Sequence, residues 1–332
     1  MSIAAIPFTL TSNFTAHITG NTTNVNASNL FSSEIWEGNF QKTIVIDSGV
    51  TVGAGVYTHP SSPSVQYHAN YVFALYIPGF KGSIYILNKG TILGGGGRAA
   101  SSPDVTLNYN KIQGEGGIAI YVDNSTVGWR GNGIFIDNQG SIYGGGGAGG
   151  LGGTGGQGYT TSSGYNAYPL CTCPVCCGKS CSDTAPCTGG TTFGNGCAEG
   201  GLRWFCPYTS YTYHDGGDGG YGGYGAGSDT GATPGGGYSG DAGGIDTNAG
   251  DGGDGGTGGT YGNNGDTGDT GDNGNYTNGS AGSSGGLAGY YLYERSPGGQ
   301  YSNLVHFINQ GTLGGRTVLD SEPPIAQMPP GY

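Results

Sequence analysis

Eight cysteines fall in one stretch of this 332-residue chain, at Cys171, Cys173, Cys176, Cys177, Cys181, Cys187, Cys197 and Cys206. An even number in a short, turn-rich stretch broken by Pro174, Pro186 and Pro207 is the pattern of a disulfide framework, whose pairing sequence alone does not give. Zinc is the competing chemistry, because Cys171, Cys173, Cys176 and Cys177 are close enough to ligate one tetrahedral ion. The two-residue spacing of zinc knuckles is missing, and adjacent Cys176 and Cys177 rarely serve the same ion. Disulfides are therefore the expectation.

The carboxylates are less specific. Asp215, Asp218, Asp251, Asp254, Asp266, Asp269 and Asp272 share the glycine and aspartate content of calcium-binding nonapeptides. They lack the large apolar residue two positions after the aspartate that the repeat requires. They read as solvating charge, and neither a metal site nor a cofactor is assigned. Glu34, Glu37, Glu115, Glu199, Glu294 and Glu322 contain no pair placed by a motif as acid and base. His17, His59, His68, His214 and His306 stand alone, so no enzyme is expected. The aromatic residues carry more. Tyr208, Tyr211, Tyr213, Tyr221, Tyr224, Tyr238, Tyr261, Tyr276 and Trp204 crowd one half of the chain with Tyr159, Tyr165 and Tyr168. Tyrosine offers rigid, amphipathic contact area at low entropic cost, so these nine are the candidates for touching a partner surface.

What must position them is a glycine-rich scaffold. The 76 glycines, with only 34% hydrophobic residues, leave little for an ordinary core. From Gly250 to Gly274 a glycine returns at every third position, which is the period of polyproline II, and a residue without Cβ is needed where such helices touch. Between Asp215 and Gly289 there is one proline, Pro234, so packed polyglycine helices are expected and a collagen triple helix is not. The unbroken run reads as one helix of a bundle. The same period recurs from Gly146 to Gly158 and from Gly216 to Gly225. A net charge of -12 excludes nucleic acid as a partner. Neither a signal peptide nor a membrane span is found. An outward-facing protein made without secretion points to a component of a virion released by lysis.

A second repeat frames the first. Ile44 to Gly53, Ile84 to Gly94, Ile134 to Gly144 and Val305 to Gly314 each consist of a short strand, a tight turn with glycine, a second short strand and a closing glycine. A degenerate copy is expected at Ile120 to Gly128. The fold class is all-β, with β-solenoid-like units plus a polyglycine II bundle and essentially no α-helix. The expected organisation is a β-rich base at 1–143 and a first glycine tract at 144–158. A cysteine-rich insert at 159–214 and a glycine region with tyrosine and aspartate loops at 215–289 follow. A return unit with an extended tail, Pro323 to Pro330, closes the chain at 290–332. Phe8, Leu10, Phe14, Ile18, Val25 and Leu30 form a candidate docking surface.

A β-rich part followed by period-three tracts at 144–158, 216–227, 250–274 and 279–289, interrupted by aromatic loops, resembles the distal tail-fibre adhesins of tailed bacteriophages. The resemblance covers about half the chain, and it is one of period and layout. It implies polyglycine II helices packed as a sandwich, with loops that meet a host receptor. The implied partners are other virion or fibre subunits and a host surface protein or glycan. The chain would be a homo-oligomer or docked on a trimeric fibre. Two alternatives stay open at this point: a self-assembling fibre or capsid-decoration subunit, and a glycan-cleaving spike.

Overall fold

The computed structural model describes residues 14–55, 57–58, 66–67, 73–98, 114–123, 132–169, 191–193, 203–244, 247–295 and 304–317. The chain climbs through successive rungs of short strands. The first rung is β1 (Thr15–Ile18), β2 (Thr22–Thr23) and β3 (Val25–Asn26). The second is β4 (Gln41–Ile46) and β5 (Thr51–Gly53), then a small hairpin of β6 (Tyr57–Thr58) and β7 (Gln66–Tyr67), then β8 (Phe73–Ile77). The third is β9 (Ser83–Asn88), β10 (Thr91–Leu93) and β11 (Ile118–Asp123). The fourth opens with β12 (Gly133–Asn138) and β13 (Ser141–Tyr143). After a long insertion carrying β14 (Gly158–Pro169), β15 (Thr191–Phe193) and β16 (Arg203–His214), it closes with β17 (Leu292–Arg295). β18 (Val305–Asn309) and β19 (Thr312–Gly314) begin a fifth.

Equivalent strands of successive rungs pair in parallel and build three sheets, ordered β1-β4-β9-β12-β18, β2-β5-β10-β13-β19 and β3-β8-β11-β17. Alternation sets the faces. In β9, Ile84, Ile86 and Asn88 are buried while Ser83, Tyr85 and Leu87 are half-buried. Inward residues from all three sheets form one core, including Ile44, Ile86, Ile136, Val52, Ile92, Ile142, Leu75 and Ile120. The glycine turns fit because rungs stack directly: a Cβ on Gly140 would overlap the carbonyl oxygen of Gly90 one rung below. At the same level the fully buried Asn88 donates through Nδ2 to Asn138 Oδ1 (2.7 Å), so the turns are also tied side chain to side chain.

The four strand-turn-strand units are the first and second strands of rungs two to five. The third strands follow no such unit. Of the expected extra copy at Ile120 to Gly128, Ile120, Tyr121 and Val122 are in a strand, β11 of the third sheet, and pair with Leu75, Tyr76 and Ile77, while 124–128 lie outside the described residues. Helix is confined, among the described residues, to a 3₁₀ turn at Ala27–Leu30 and one short α1 (Ser33–Glu37) with Ser32 as N-cap. Trp36 of α1 packs beside Phe80, 6.2 Å between centroids. Ile18 is buried and Val25 and Leu30 pack against the core, so these three do not form the docking surface expected of them. Phe14 stacks on Phe40 at 4.8 Å. Phe8, Leu10 and the tail Pro323 to Pro330 lie outside the described residues.

All the glycine-rich segments leave the rungs at one corner, between a second strand and a third: 94–98 and 114–117 from the third rung, 144–157 through 277–289 from the fourth. They carry neither helix nor ladder strand, and their backbones bond to one another every third residue. Segment 144–157 is central. Gly146, Gly149, Gly152 and Gly155 donate to the carbonyls of Ala226, Gly223, Gly220 and Gly217 at 2.8–2.9 Å. Gly147, Gly150, Gly153 and Gly156 donate to Asn263, Asp266, Asp269 and Asp272 at 2.8–2.9 Å. The carbonyls of Ala148, Leu151 and Thr154 accept from Gly286, Ser283 and Ser280 at 2.7–2.8 Å.

Crowding explains the spelling of each segment. Segments with neighbours on most sides carry two glycines in each triplet: the central one keeps side chains only at Ala148, Leu151, Thr154 and Gln157, and 216–224 only at Asp218, Tyr221 and Tyr224. Peripheral segments keep one glycine in three, as at Gly265, Gly268, Gly271 and Gly274. The run from Gly250 to Gly274, expected to be one continuous element, is two segments. It turns at Tyr261 and Gly262 and folds back, with Asp266, Asp269 and Asp272 donating to Thr257, Asp254 and Asp251 (2.7–2.8 Å). Gly262 takes a φ of +69° in that turn, the left-handed region glycine tolerates.

Candidate functional site

β14 and β16 form a long antiparallel ribbon in register from Gly158↔His214 to Pro169↔Arg203. It is rich in Thr and Tyr, which favour strands, and among the described residues it packs no core: those from Thr161 to Ser163 and from Pro207 to Tyr213 are exposed. Paired residues share a face, so Tyr159, Thr161, Ser163 and Tyr165 line up with Tyr213, Tyr211, Thr209 and Pro207 on one side. Tyr208 sits on the other side, its ring over Gly164, where a Cβ would meet Tyr208 ring atoms at 2.9 Å. Cross-strand contacts on that second side are polar: Ser162 Oγ to Ser210 Oγ at 2.7 Å and Thr160 Oγ1 to His214 Nε2 at 3.2 Å.

A two-stranded ribbon alone is marginal in water, and this one is braced at its foot. The turn at Asn275 and Tyr276 between the last two glycine segments supplies the brace. Tyr159 N–H donates to Asn275 Oδ1 (2.7 Å), and Asn275 Nδ2 donates back to Tyr159 O (3.1 Å). Tyr276 meets Tyr213 at 4.8 Å and Tyr159 at 6.3 Å between centroids, and Tyr159 meets Tyr211 edge-on at 5.4 Å. The result is a tyrosine cluster whose outer rings remain in water: Tyr211, Tyr213 and Tyr276 are 56%, 55% and 54% exposed.

The nine aromatic candidates thus separate. Tyr211, Tyr213 and Tyr276 converge, and Tyr208 lies on the opposite ribbon face. Tyr221 and Tyr238 are exposed on adjacent glycine segments, where Tyr238 N–H donates to Tyr221 O at 2.8 Å. Tyr224 and Tyr261 are half-buried: Arg98 lies 5.5 Å over the Tyr224 ring, and Tyr261 stacks on Tyr143 at 5.9 Å. Burial pushes the Tyr261 phenol up from its ordinary pKa. Trp204 belongs to the outer end of β16. Cys206 lies in the same strand, and the other seven cysteines fall outside the described residues. Sequence reasoning left Asn275 and Tyr159 out of the site. The signal for Tyr159 was strand alternation running from Gly158, hidden behind the cysteine pattern, whereas Asn275 had no local signal.

Charge is sparse on the ribbon and dense beside it. Asp215, Asp218, Asp251, Asp254, Asp266, Asp269 and Asp272 sit on the glycine segments, where some have structural duties: Asp251 Oδ1 accepts from Gly243 N–H (2.6 Å) and Asp254 Oδ1 from Gly240 N–H (3.1 Å). Among the described residues no group of three His, Cys, Asp or Glu side chains converges as a metal site. The ribbon offers aromatic edges, hydroxyls and backbone groups.

The family model for the phage tail fibre adhesin Gp38 matches residues 13–230. No curated protein matches. Among solved structures, the crystal structure of the gp37-gp38 adhesin tip complex of the bacteriophage S16 long tail fiber matches at 20% identity. That match covers 94% of this chain and 87% of that chain with a TM-score of 0.30, too low for the superposition to bear on the argument.

Proposed function

This chain belongs to the phage tail fibre adhesin Gp38 family, and from that premise we propose that it attaches the particle to its host through the tyrosine ribbon and the turns beside it. Membership supports a host-attachment role at the virion surface and a binding protein in place of a catalyst. The rungs, 1–143 with 290–332, are coils of a β-solenoid that docks on other fibre subunits. The glycine segments, 144–158 and 215–289, form a polyglycine II bundle that holds the ribbon away from the base. Period-three backbone bonding supports that bundle. The insert at 159–214 carries disulfides, and non-reducing mass measurement that found eight free thiols would remove that part of the reading.

The observation that carries the proposal is an uncharged tyrosine cluster exposed on a part of the chain that has no hydrophobic core beneath it among the described residues. The test is binding of the full chain to intact host cells, with Tyr211 and Tyr213 both changed to Ser. Binding should fall at least about tenfold, equivalent to roughly 1.4 kcal/mol, with the melting temperature unchanged. Unaltered binding would return the ribbon to a structural role, and shortened polysaccharide after incubation with host glycan would revive the cleaving spike.

A further inference from the structure

The outer edge of β14 is open among the described residues, and the chain itself displays what that edge accepts. β14 ends the sheet ordered β14-β16-β15. Tyr159 turns both backbone groups away from β16: its N–H meets Asn275 Oδ1 at 2.7 Å and its C=O meets Asn275 Nδ2 at 3.1 Å. One planar amide satisfying the N–H and the C=O of one residue reproduces the pairing made by a neighbouring strand. Since Tyr159 faces outward, alternation turns the backbone groups of Thr161, Ser163 and Tyr165 outward too. All three residues are exposed, Tyr165 by 66%.

Natural edge strands are usually blunted by lysine, proline or a bulge. β16 has such a guard, Pro207, at the outward position opposite Tyr165. From Tyr159 to Asn166, β14 has no proline, no charge and no register shift. We propose that this edge receives an extended polypeptide segment of the surface partner as an added strand, backbone to backbone at Thr161, Ser163 and Tyr165, beginning where Asn275 stops. The inference rests on the reading of the ribbon as the contact surface, and it identifies what is contacted: the main chain of a protein. Donor and acceptor pairs repeating every second residue match another extended backbone, and its alternate side chains would lie beside Thr161, Ser163 and Tyr165, on the face these residues share with Tyr211 and Tyr213 one strand further in.

The test uses the full chain titrated onto intact host cells. Ser163→Pro and Thr161→Pro each remove an outward N–H without removing a ladder bond, as Pro207 does on β16. Each should weaken binding at least about tenfold with an unchanged melting temperature, while Ser163→Ala weakens it less than about threefold. Protease treatment of the cells should abolish binding. If both proline variants bind normally while the Tyr211→Ser, Tyr213→Ser variant does not, the ribbon reading stands and the added strand falls. If all bind normally, both fall. Equal losses for Ser163→Ala and Ser163→Pro, binding that survives protease, or proline variants that only split a dimer would each overturn the proposal. Where a proline variant melts early, amide exchange on the unaltered chain decides: Thr161, Ser163 and Tyr165 must gain protection with vesicles made from the host cell envelope, and no gain refutes the added strand.

Discussion

Replacing Gly149 with alanine tests the central claim about the glycine segments. Gly149 sits in the middle of 144–157 and donates to Gly223 O at 2.8 Å. A Cβ there would overlap the carbonyl oxygen of Gly256. Carbon and oxygen separate to about 3.3 Å even in close contact, so the segment carrying Gly256 must retreat. That segment is bonded to the central one by Gly253 N to Gly153 O, Gly256 N to Gly150 O and Gly259 N to Gly147 O, at 2.7–2.8 Å. Stretching three such bonds costs about 3 kcal/mol at about 1 kcal/mol each, and overpacking adds about 1–3 kcal/mol. Alanine returns about 0.4–1 kcal/mol by narrowing the unfolded ensemble. The net destabilisation is about 3–5 kcal/mol, a fall of roughly 6–10 °C at about 2 °C per kcal/mol for a chain of this size. Gly236 is the control: no heavy atom lies within 4 Å of its Cβ position, so Gly236→Ala should raise the midpoint slightly. Scanning calorimetry reads both. Shifts of the same sign, or a Gly149→Ala midpoint within a degree of the unaltered chain, would refute the packing argument.

Three further outcomes follow from buried polar groups in the rungs. Hydrogen bonds from Asn309 (2.8 Å), Tyr85 (2.9 Å) and Gln139 (3.2 Å) hold the Asp137 carboxyl below the usual carboxylate range. This stabilisation is present above the unfolded pKa and disappears as pH falls through the lower folded value, so Asp137→Asn should flatten the acid limb of a melting-temperature profile. Burial lowers Lys42 to about 8; the native state then sheds its proton before the unfolded one, and stability should rise from about pH 8 toward the ordinary lysine value of 10.5. Lys42→Met should erase that rise and cost about 1–3 kcal/mol, because the carbonyls of Gly38, Phe40 and Lys81 lose a donor. Arg316→Met removes the partner of buried Glu115 (3.0 Å) and should cost about 3–5 kcal/mol in denaturant unfolding, with Glu115→Gln added restoring part.

The rungs were half legible in the sequence. First and second strands are joined by a short turn with glycine between two β-branched runs, so Ile84 to Gly94 announces itself. Third strands such as Phe73–Ile77 are buried throughout, and an unbroken apolar run has no periodicity to declare its direction or its sheet. The glycine period was legible as packing but silent about direction, because Gly262 keeps phase through the turn at Tyr261. The ribbon was concealed for a different reason. Its stability depends on Asn275, a long-range brace that no local pattern near Tyr159 reveals.

The bundle leaves the fourth rung after Tyr143 and returns at Tyr290, and its two ends touch: Gly289 N–H donates to Gly145 O at 2.7 Å. A segment whose ends meet can be replaced without moving what flanks it. For a virus under pressure from a changing host, residues 144–289 are one uninterrupted stretch of gene. Two crossovers, in the codons around Tyr143 and Tyr290, would exchange that whole stretch, and with it the proposed contact surface, while leaving the strands of the rungs in place.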